Sequence, residues 1–233
     1  MKRCKTHVVC VCLIFLASVP AYCQRGTFGI NLGQTSDKFD TLSSVGGFVV
    51  GIDGQLTILK GNAKENGPSL VAGGEIRLPS DTANHAKEYA VFGGPRFRAR
   101  DLSIGFNAQL RRIVLPTANV ENQVFERYTL DLLELPLVLK YNLGPGKRAF
   151  IEVQGAPEFT PHFVRSSSSI TLPHPRFDHG YFLRGSVGYT FGVWYAKATY
   201  ENRYFKFIPD PGNPNGLYNW KSNLISGGVG FSF

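Results

Sequence analysis

The sequence predicts an all-β protein, a transmembrane antiparallel β-barrel of ten strands. The chain of 233 residues is 43% hydrophobic and 13% aromatic. Beyond the N-terminus it contains no apolar run near the roughly 18 residues that a membrane-spanning helix needs. Its apolar residues alternate with polar ones instead, with the period of two that is typical of strands. Many of the alternating segments are longer than the about 5 or 6 residues of an ordinary strand, as strands that cross a bilayer must be.

The N-terminal segment, residues 1–23, is predicted to be a cleaved signal peptide. Basic residues precede an apolar core from Val8 to Ala17, and Pro20 follows it. This core is too short to span a bilayer and has the length that signal peptides use. Cleavage after Cys23 is preferred, and cleavage after Ala21 is the alternative. The mature domain is then residues 24–233, exported through the inner membrane.

Removal of this segment changes the cysteine count and the charge. It carries all four cysteines and three of the basic residues: Cys4, Cys10, Cys12, Cys23, Lys2, Arg3 and Lys5. The mature chain has 22 basic residues (25 minus 3) against 17 acidic ones, a net charge of +5. A disulfide-stapled or zinc-thiolate domain is therefore excluded. The basic residues form no stripe, so we expect no nucleic-acid partner, and no motif predicts a cofactor or a metal site.

The alternation assigns a face to each residue of a strand. In residues 47–59, Phe48, Val50 and Ile52 lie on one face and Asp53 on the other. The same pattern recurs in residues 102–112 and 133–141. We predict strands near 26–34, 46–59, 69–79, 88–98, 101–115, 127–142, 149–161, 180–192, 193–207 and 221–233.

The joints between these segments predict the topology. Long joints at 35–45, 80–87, 116–126, 162–179 and 208–220 alternate with shorter ones at 60–68, 99–100, 143–148 and 192–193. Outer-membrane barrels have short periplasmic turns and longer extracellular loops. The alternation therefore predicts ten strands with both termini periplasmic, or eight strands if 26–34 is not in the sheet. The joint at 60–68 is longer than this topology expects.

A barrel of this kind turns its apolar face to lipid and its polar face to the interior. A soluble barrel would have to hold ten rows of large apolar side chains in an interior too narrow for them. Charged side chains on the polar face must therefore line the lumen. The predicted set is Asp53, Glu75, Arg77, Arg96, Arg98, Arg111, Glu134, Lys140, Glu152, Arg184, Lys197, Glu201 and Arg203.

Two interpretations of this lumen stay open. In the first, Arg and Glu pairs fill it, and the protein has a structural or surface-interaction role in the cell envelope. In the second, it is a narrow, porin-like pore with a weak preference for anions. The outer loops are where an extracellular ligand would bind.

Two segments carry a resemblance to a known family. The chain ends on Val229-Gly230-Phe231-Ser232-Phe233, similar to the C-terminal signature of bacterial outer-membrane barrels, and residues 133–141 read LELPLVLKY. The latter resembles a strand of the small porin-like bacterial outer-membrane β-barrel domain family. The resemblance implies a place in the outer membrane, contact with its lipid, and delivery to the barrel-assembly machinery through Phe231 and Phe233. Pro136 within this strand predicts a bulge.

An enzyme is the competing class, because the omptins are ten-stranded outer-membrane proteases with Asp and His at the extracellular rim. The 162–179 joint holds His162, His174, Asp178 and His179. No segment matches the omptin catalytic motifs, and Asp178 and His179, as neighbours on a strand, are expected to point apart. We therefore expect no enzymatic activity and no catalytic residues.

Overall fold

The computed structural model describes residues 23–39, 44–59, 66–81, 85–114, 119–120, 123–124, 128–165, 176–208 and 219–233. The predicted signal peptide lies outside this part of the chain except for Cys23, and it stays a prediction. Among the described residues, no helix is long and apolar enough to cross a membrane.

Ten antiparallel strands form a closed barrel. They are β1 (Cys23–Phe39), β2 (Val45–Leu59), β3 (Gly67–Pro79), β4 (Lys87–Ala99), β5 (Leu102–Phe106 and Ala108–Val114), β6 (Tyr128–Glu134 and Leu137–Leu143), β7 (Ala149–Arg165), β8 (Arg176–Phe191), β9 (Trp194–Ile208) and β10 (Asn219–Ser232). Each strand pairs with its neighbours in sequence, and β10 pairs with β1. The prediction of ten strands is confirmed. The eight-strand alternative is wrong, because residues 23–39 pair along both edges.

The side chains alternate between the outside and the inside of the barrel, as predicted. Phe48, Val50 and Ile52 are exposed on the outer wall, while Val49 and Gly51 are buried. The outward apolar set runs around the barrel and includes Ile30, Ile52, Leu70, Val91, Phe106, Leu137, Val153, Val187, Ile225 and Val229. An exposed apolar surface of this extent needs a covering, and lipid is the covering that a barrel wall can use.

The barrel has two ends that differ in their joints. The terminus end carries Phe233 and the joints 60–66, 100–101, 144–148 and 192–193. The loop end carries 40–44, 80–86, 115–127, 166–175 and 209–218. The first joint is shorter than predicted because β1 continues to Phe39. The first loop-end joint, 40–44, is therefore shorter than the first terminus-end joint, 60–66, which is the reverse of the predicted alternation. At the 144–148 turn, Gly144 and Gly146 adopt positive φ, which glycine does without steric cost.

Outward charges on the described strands lie near the loop end. Lys38 and Lys221 occupy directly opposed positions on β1 and β10. Arg112 and Asp131 form an exposed ion pair at 2.6 Å between β5 and β6. Charged outward residues at this level mark one edge of the apolar belt.

The bulge predicted at Pro136 is wrong. Residues 135–136 leave the ladder, but the pairing with β7 keeps its register, since Glu134 and Leu137 face residues that are also three positions apart. Proline lacks an N–H, so it interrupts the hydrogen bonds without requiring an inserted residue. The Asn107 N–H donates to the Pro136 carbonyl at 3.0 Å. The irregularity in this region lies on β7, between Phe159 and His162.

Candidate functional site in the barrel lumen

The alternation places all thirteen predicted charged residues on inward positions. Five of them (Arg77, Arg111, Glu134, Glu201 and Arg203) are buried. The other eight line a cavity at the terminus end or sit at its inner edge: Asp53, Glu75, Arg96, Arg98, Lys140, Glu152, Arg184 and Lys197. The buried residues belong to a layer of ion pairs that crosses the lumen at mid-height, which we call the crossing layer. The others line a cavity between this layer and the terminus end, which we call the vestibule.

The crossing layer is centred on Arg77 and Glu201. Arg77 donates two hydrogen bonds to Glu201, at 2.7 and 2.6 Å, and one to Glu75 at 2.6 Å. Arg184 donates to the same two carboxylates, at 2.7 and 2.8 Å. Arg77 and Glu75 lie on β3, whereas Arg184 lies on β8, diametrically opposite in a ring of ten strands. These ion pairs therefore span the full width of the lumen.

A second group extends this layer toward β5, β6 and β9. Arg203 donates to Glu134 at 2.8 Å, and Arg111 lies 3.2 Å from the same carboxylate. Gln109 also donates to Glu134. Glu134 and Arg203 are 0% and 1% exposed. Buried charges of this kind are tolerated only when they are paired and hydrogen-bonded.

Two members of the layer were missed in the sequence analysis. Glu88 accepts a hydrogen bond from Arg111 at 2.6 Å, and Glu158 lies 3.2 Å from Arg203. Both lie an even number of positions along the strand from a residue that was predicted to point inward: Glu88 from Arg96, and Glu158 from Glu152. They must therefore point inward as well. Extending the alternation to the strand ends would have found them.

Aromatic packing joins the charge layer to the loop-side half of the lumen. The Phe182 ring lies under three guanidinium groups, with Arg203 at 4.9 Å, Arg184 at 5.2 Å and Arg111 at 5.7 Å from its centroid. Guanidinium groups are attracted to the ring face. Phe182 thus contacts three of the four arginines of the layer.

Much of the loop-side half of the lumen is apolar, which corrects the expectation of a wholly polar interior. Phe205 stacks on Trp220 with centroids 5.1 Å apart. Other buried inward side chains here are Ile113, Leu130, Leu132 and Phe207. On these strand ends the alternation is inverted, because apolar residues such as Phe205 and Phe207 point inward while charged ones such as Lys206 point outward. Packed side chains therefore fill this part of the lumen.

A loop residue closes this half further. His85, in the 80–86 joint, is 2% exposed, and its Nδ1 lies 2.9 Å from the Asp37 carboxylate. This hydrogen bond, aided by the nearby charge of Asp81, raises the pKa of His85 against the opposing effect of burial. A Cβ on Gly47 would overlap the His85 ring. Glycine at position 47 therefore allows the loop to fold inward.

The terminus-side half of the lumen is open. It forms a vestibule of about 770 Å³ that reaches from Arg25 and Ser232 at the terminus end to Glu75 and Arg77 in the crossing layer. On the other side of the layer the adjoining cavity holds only about 10 Å³. The vestibule is thus blind, closed at its inner end by the crossing layer.

Asp178 and His179 occupy the outer wall rather than the lumen. Their side chains lie 3.0 Å apart, and Lys206 on the outer face of β9 is 3.5 Å from Asp178. The expectation that the two side chains point apart is wrong, because an irregularity between Phe177 and His179 breaks the alternation. His174 and the side chain of His162 lie outside what is described.

The C-terminal residues close the barrel. The backbone N–H of Phe233 donates to the Gly26 carbonyl at 3.0 Å, and the Gly26 N–H donates to the Phe233 carbonyl at 2.7 Å. Phe231 packs between Phe28 and Trp194, at centroid distances of 5.7 and 6.2 Å. The two predicted assembly residues therefore hold the seam between the first and last strands.

A closed ten-stranded antiparallel barrel with an apolar outer belt and an ion-paired lumen defines the class of outer-membrane β-barrel proteins. No protein-family model matches the chain, and no curated protein matches it. Solved outer-membrane proteins are among the structures to which it is similar.

Three of these structures illustrate the likeness. The translocator domain of the autotransporter NalP from Neisseria meningitidis is 12% identical with a TM-score of 0.42, covering 97% of this chain and 95% of that one. The NanC porin is 9% identical with a TM-score of 0.40, covering 89% and 98%. The outer membrane protease OmpT from Escherichia coli is 13% identical with a TM-score of 0.39, covering 90% and 97%. At these identities the likeness concerns the fold alone.

Proposed function

We propose that the protein is a non-conducting, non-enzymatic barrel of the bacterial outer membrane, with a structural or surface-interaction role. The observation that carries this proposal is the ion-paired layer from Arg77 on β3 to Arg184 on β8. Opening a path through it would break several buried ion pairs at once, and removing one partner of such a pair costs about 3–5 kcal/mol. The apolar layer beyond it adds a second barrier.

Location and orientation complete the proposal. The signal peptide would direct export, the barrel-assembly machinery would engage the last strand at Phe231 and Phe233, and the apolar belt would contact lipid. Both termini would be periplasmic, because the short turns of outer-membrane barrels face the periplasm and most of the short joints of this barrel lie at the terminus end. Any partner outside the cell would then meet the loop end, whose joints are 40–44, 80–86, 115–127, 166–175 and 209–218.

Conductance in a planar bilayer tests the closed lumen. The refolded wild-type barrel should give no steps above baseline, with insertion checked by co-flotation with vesicles. The variant Arg77→Ala/Glu201→Ala removes one charge of each sign from the layer and should raise conductance if the layer is the barrier. Regular steps from the wild type would instead establish the alternative, a narrow porin, which the open vestibule of about 770 Å³ favours.

The absence of catalysis is tested separately. Asp178 and His179 are paired on the outer wall, away from the lumen-facing rim. Asp37 and His85 are buried inside the barrel, where a substrate has no access to them. Outer-membrane fractions that contain the protein should cleave a peptide library no faster than fractions that lack it. Cleavage that is lost in Asp178→Ala but kept in Lys221→Gln would overturn this part of the proposal.

A further inference from the structure

The vestibule has an excess of positive charge. Its lining includes eight basic side chains against three acidic ones. Two of the three acids are engaged by cations, since Asp53 pairs with Lys197 at 2.9 Å and Glu75 pairs with Arg77 and Arg184. The third, Glu152, accepts a hydrogen bond from Gln154 at 2.6 Å.

Three cations on one wall, Arg96, Arg98 and Lys140, form no ion pair with a carboxylate among the described residues. Arg96 donates only to the Pro95 and Phe106 carbonyls and to the Asn107 side chain. Arg98 donates to the Arg100 carbonyl at 3.2 Å. Lys140 lies over the Phe150 ring at 4.2 Å. These partners are neutral. One carboxylate, Glu152, faces this wall, since it pairs with Lys140 in the register of β6 and β7, so three positive charges stand against one negative charge.

The backbone register brings these cations together. Ser103 on β5 is paired with Arg98 on one side and with Lys140 on the other. The two cation-bearing strands are therefore about 10 Å apart, one strand removed from each other. Both side chains are long enough to reach an anion above Ser103. Arg96 lies two positions along the same face of β4, over Gly105.

We propose that this wall binds a small multivalent oxyanion, such as a solute with two or more phosphate groups. Guanidinium groups bind phosphate with paired hydrogen bonds, and an ammonium group adds a point charge beside them. The blind shape of the cavity removes bulk water from most sides of a bound anion, which strengthens each contact. The ligand enters from the terminus end, where the vestibule opens.

Isothermal titration with inorganic tripolyphosphate tests this binding on the refolded barrel in a zwitterionic detergent at low salt. The wild type should bind with one site per chain, and added salt should weaken the binding by screening. The decisive variant is Ser103→Glu, which places a carboxylate between Arg98 and Lys140. It should weaken binding about tenfold or more, which corresponds to about 1.4 kcal/mol.

Matched variants separate charge from volume and from folding. Ser103→Gln adds the same volume without charge and should bind as the wild type does. Lys140→Gln should weaken binding, whereas Lys221→Gln, an equal loss of charge on the outer wall, should leave it unchanged. Heat-modifiable gel migration checks that each variant is folded. If Ser103→Glu does not refold, the comparison of Lys140→Gln with Lys221→Gln decides the matter.

Two results would overturn the proposal: equal affinity in Ser103→Glu and Ser103→Gln, or equal weakening by Lys140→Gln and Lys221→Gln. Binding is measured in detergent solution and conductance in a bilayer, so this proposal and the non-conducting function can fail independently. A barrel that conducts would still be expected to bind the anion at this wall.

Discussion

Replacing Glu201 with Gln should destabilise the barrel more than any exposed charge change. Glu201 is 3% exposed and accepts two hydrogen bonds from Arg77 and one from Arg184, all between 2.6 and 2.7 Å, with Arg203 at 3.6 Å. The amide is nearly isosteric, so packing is kept while several buried guanidinium groups lose their counter-charge. Removing one partner of a buried ion pair costs about 3–5 kcal/mol.

The matched control is Asp131→Asn at the exposed pair with Arg112, whose side chains are 32% and 58% exposed. Exposed pairs contribute about 0.2–1 kcal/mol, so this change should be small. Urea unfolding of the refolded barrels, followed by the fluorescence of the buried Trp220, measures both free energies. If Glu201→Gln falls within about 1 kcal/mol of Asp131→Asn, the crossing layer does not stabilise the fold as argued.

Three further outcomes follow from the loop end and the seam. The Asp37 carboxylate raises the pKa of His85 in the folded protein. The ion pair should therefore contribute its full stability below the unfolded pKa of about 6.5, and this contribution should be lost as pH rises through the folded pKa. The free energy of unfolding should accordingly be larger at pH 6 than at pH 8, and His85→Gln should remove this difference. Gly47→Ala should cost about 1–3 kcal/mol by displacing the His85 ring, whereas Gly227→Ala, where a Cβ meets no atom within 4 Å, should show no such cost from a clash; the same unfolding assay compares them. Deleting Phe233 removes two backbone hydrogen bonds of the seam, worth about 1–3 kcal/mol together, and should lower the folded fraction in outer-membrane preparations on heat-modifiable gels.

The sequence could predict the face of each charge but not its partner. Alternation is a local property, so the inward position of Glu75 or Arg203 can be read from its parity along the strand. Whether Arg77 meets Glu201 depends on how ten strands close and on their stagger, which no single segment encodes. The same limit hid the apolar layer, since Phe205 and Phe207 lie inward on a strand end where the charged neighbour Lys206 lies outward.

The crossing layer and the anion-binding wall depend on each other physically. The layer holds four guanidinium groups and five carboxylates: Arg77, Arg111, Arg184, Arg203, Glu75, Glu88, Glu134, Glu158 and Glu201. Each of these carboxylates pairs with an arginine of the layer itself, so none of them serves as the partner of Arg98 or Lys140. It also closes the cavity at its inner end, so that solvent reaches the wall from one side. Part of the surplus of basic residues in the sequence therefore lines a cavity with a single opening. An anion that enters this cavity can bind at the wall but has no second exit through the lumen.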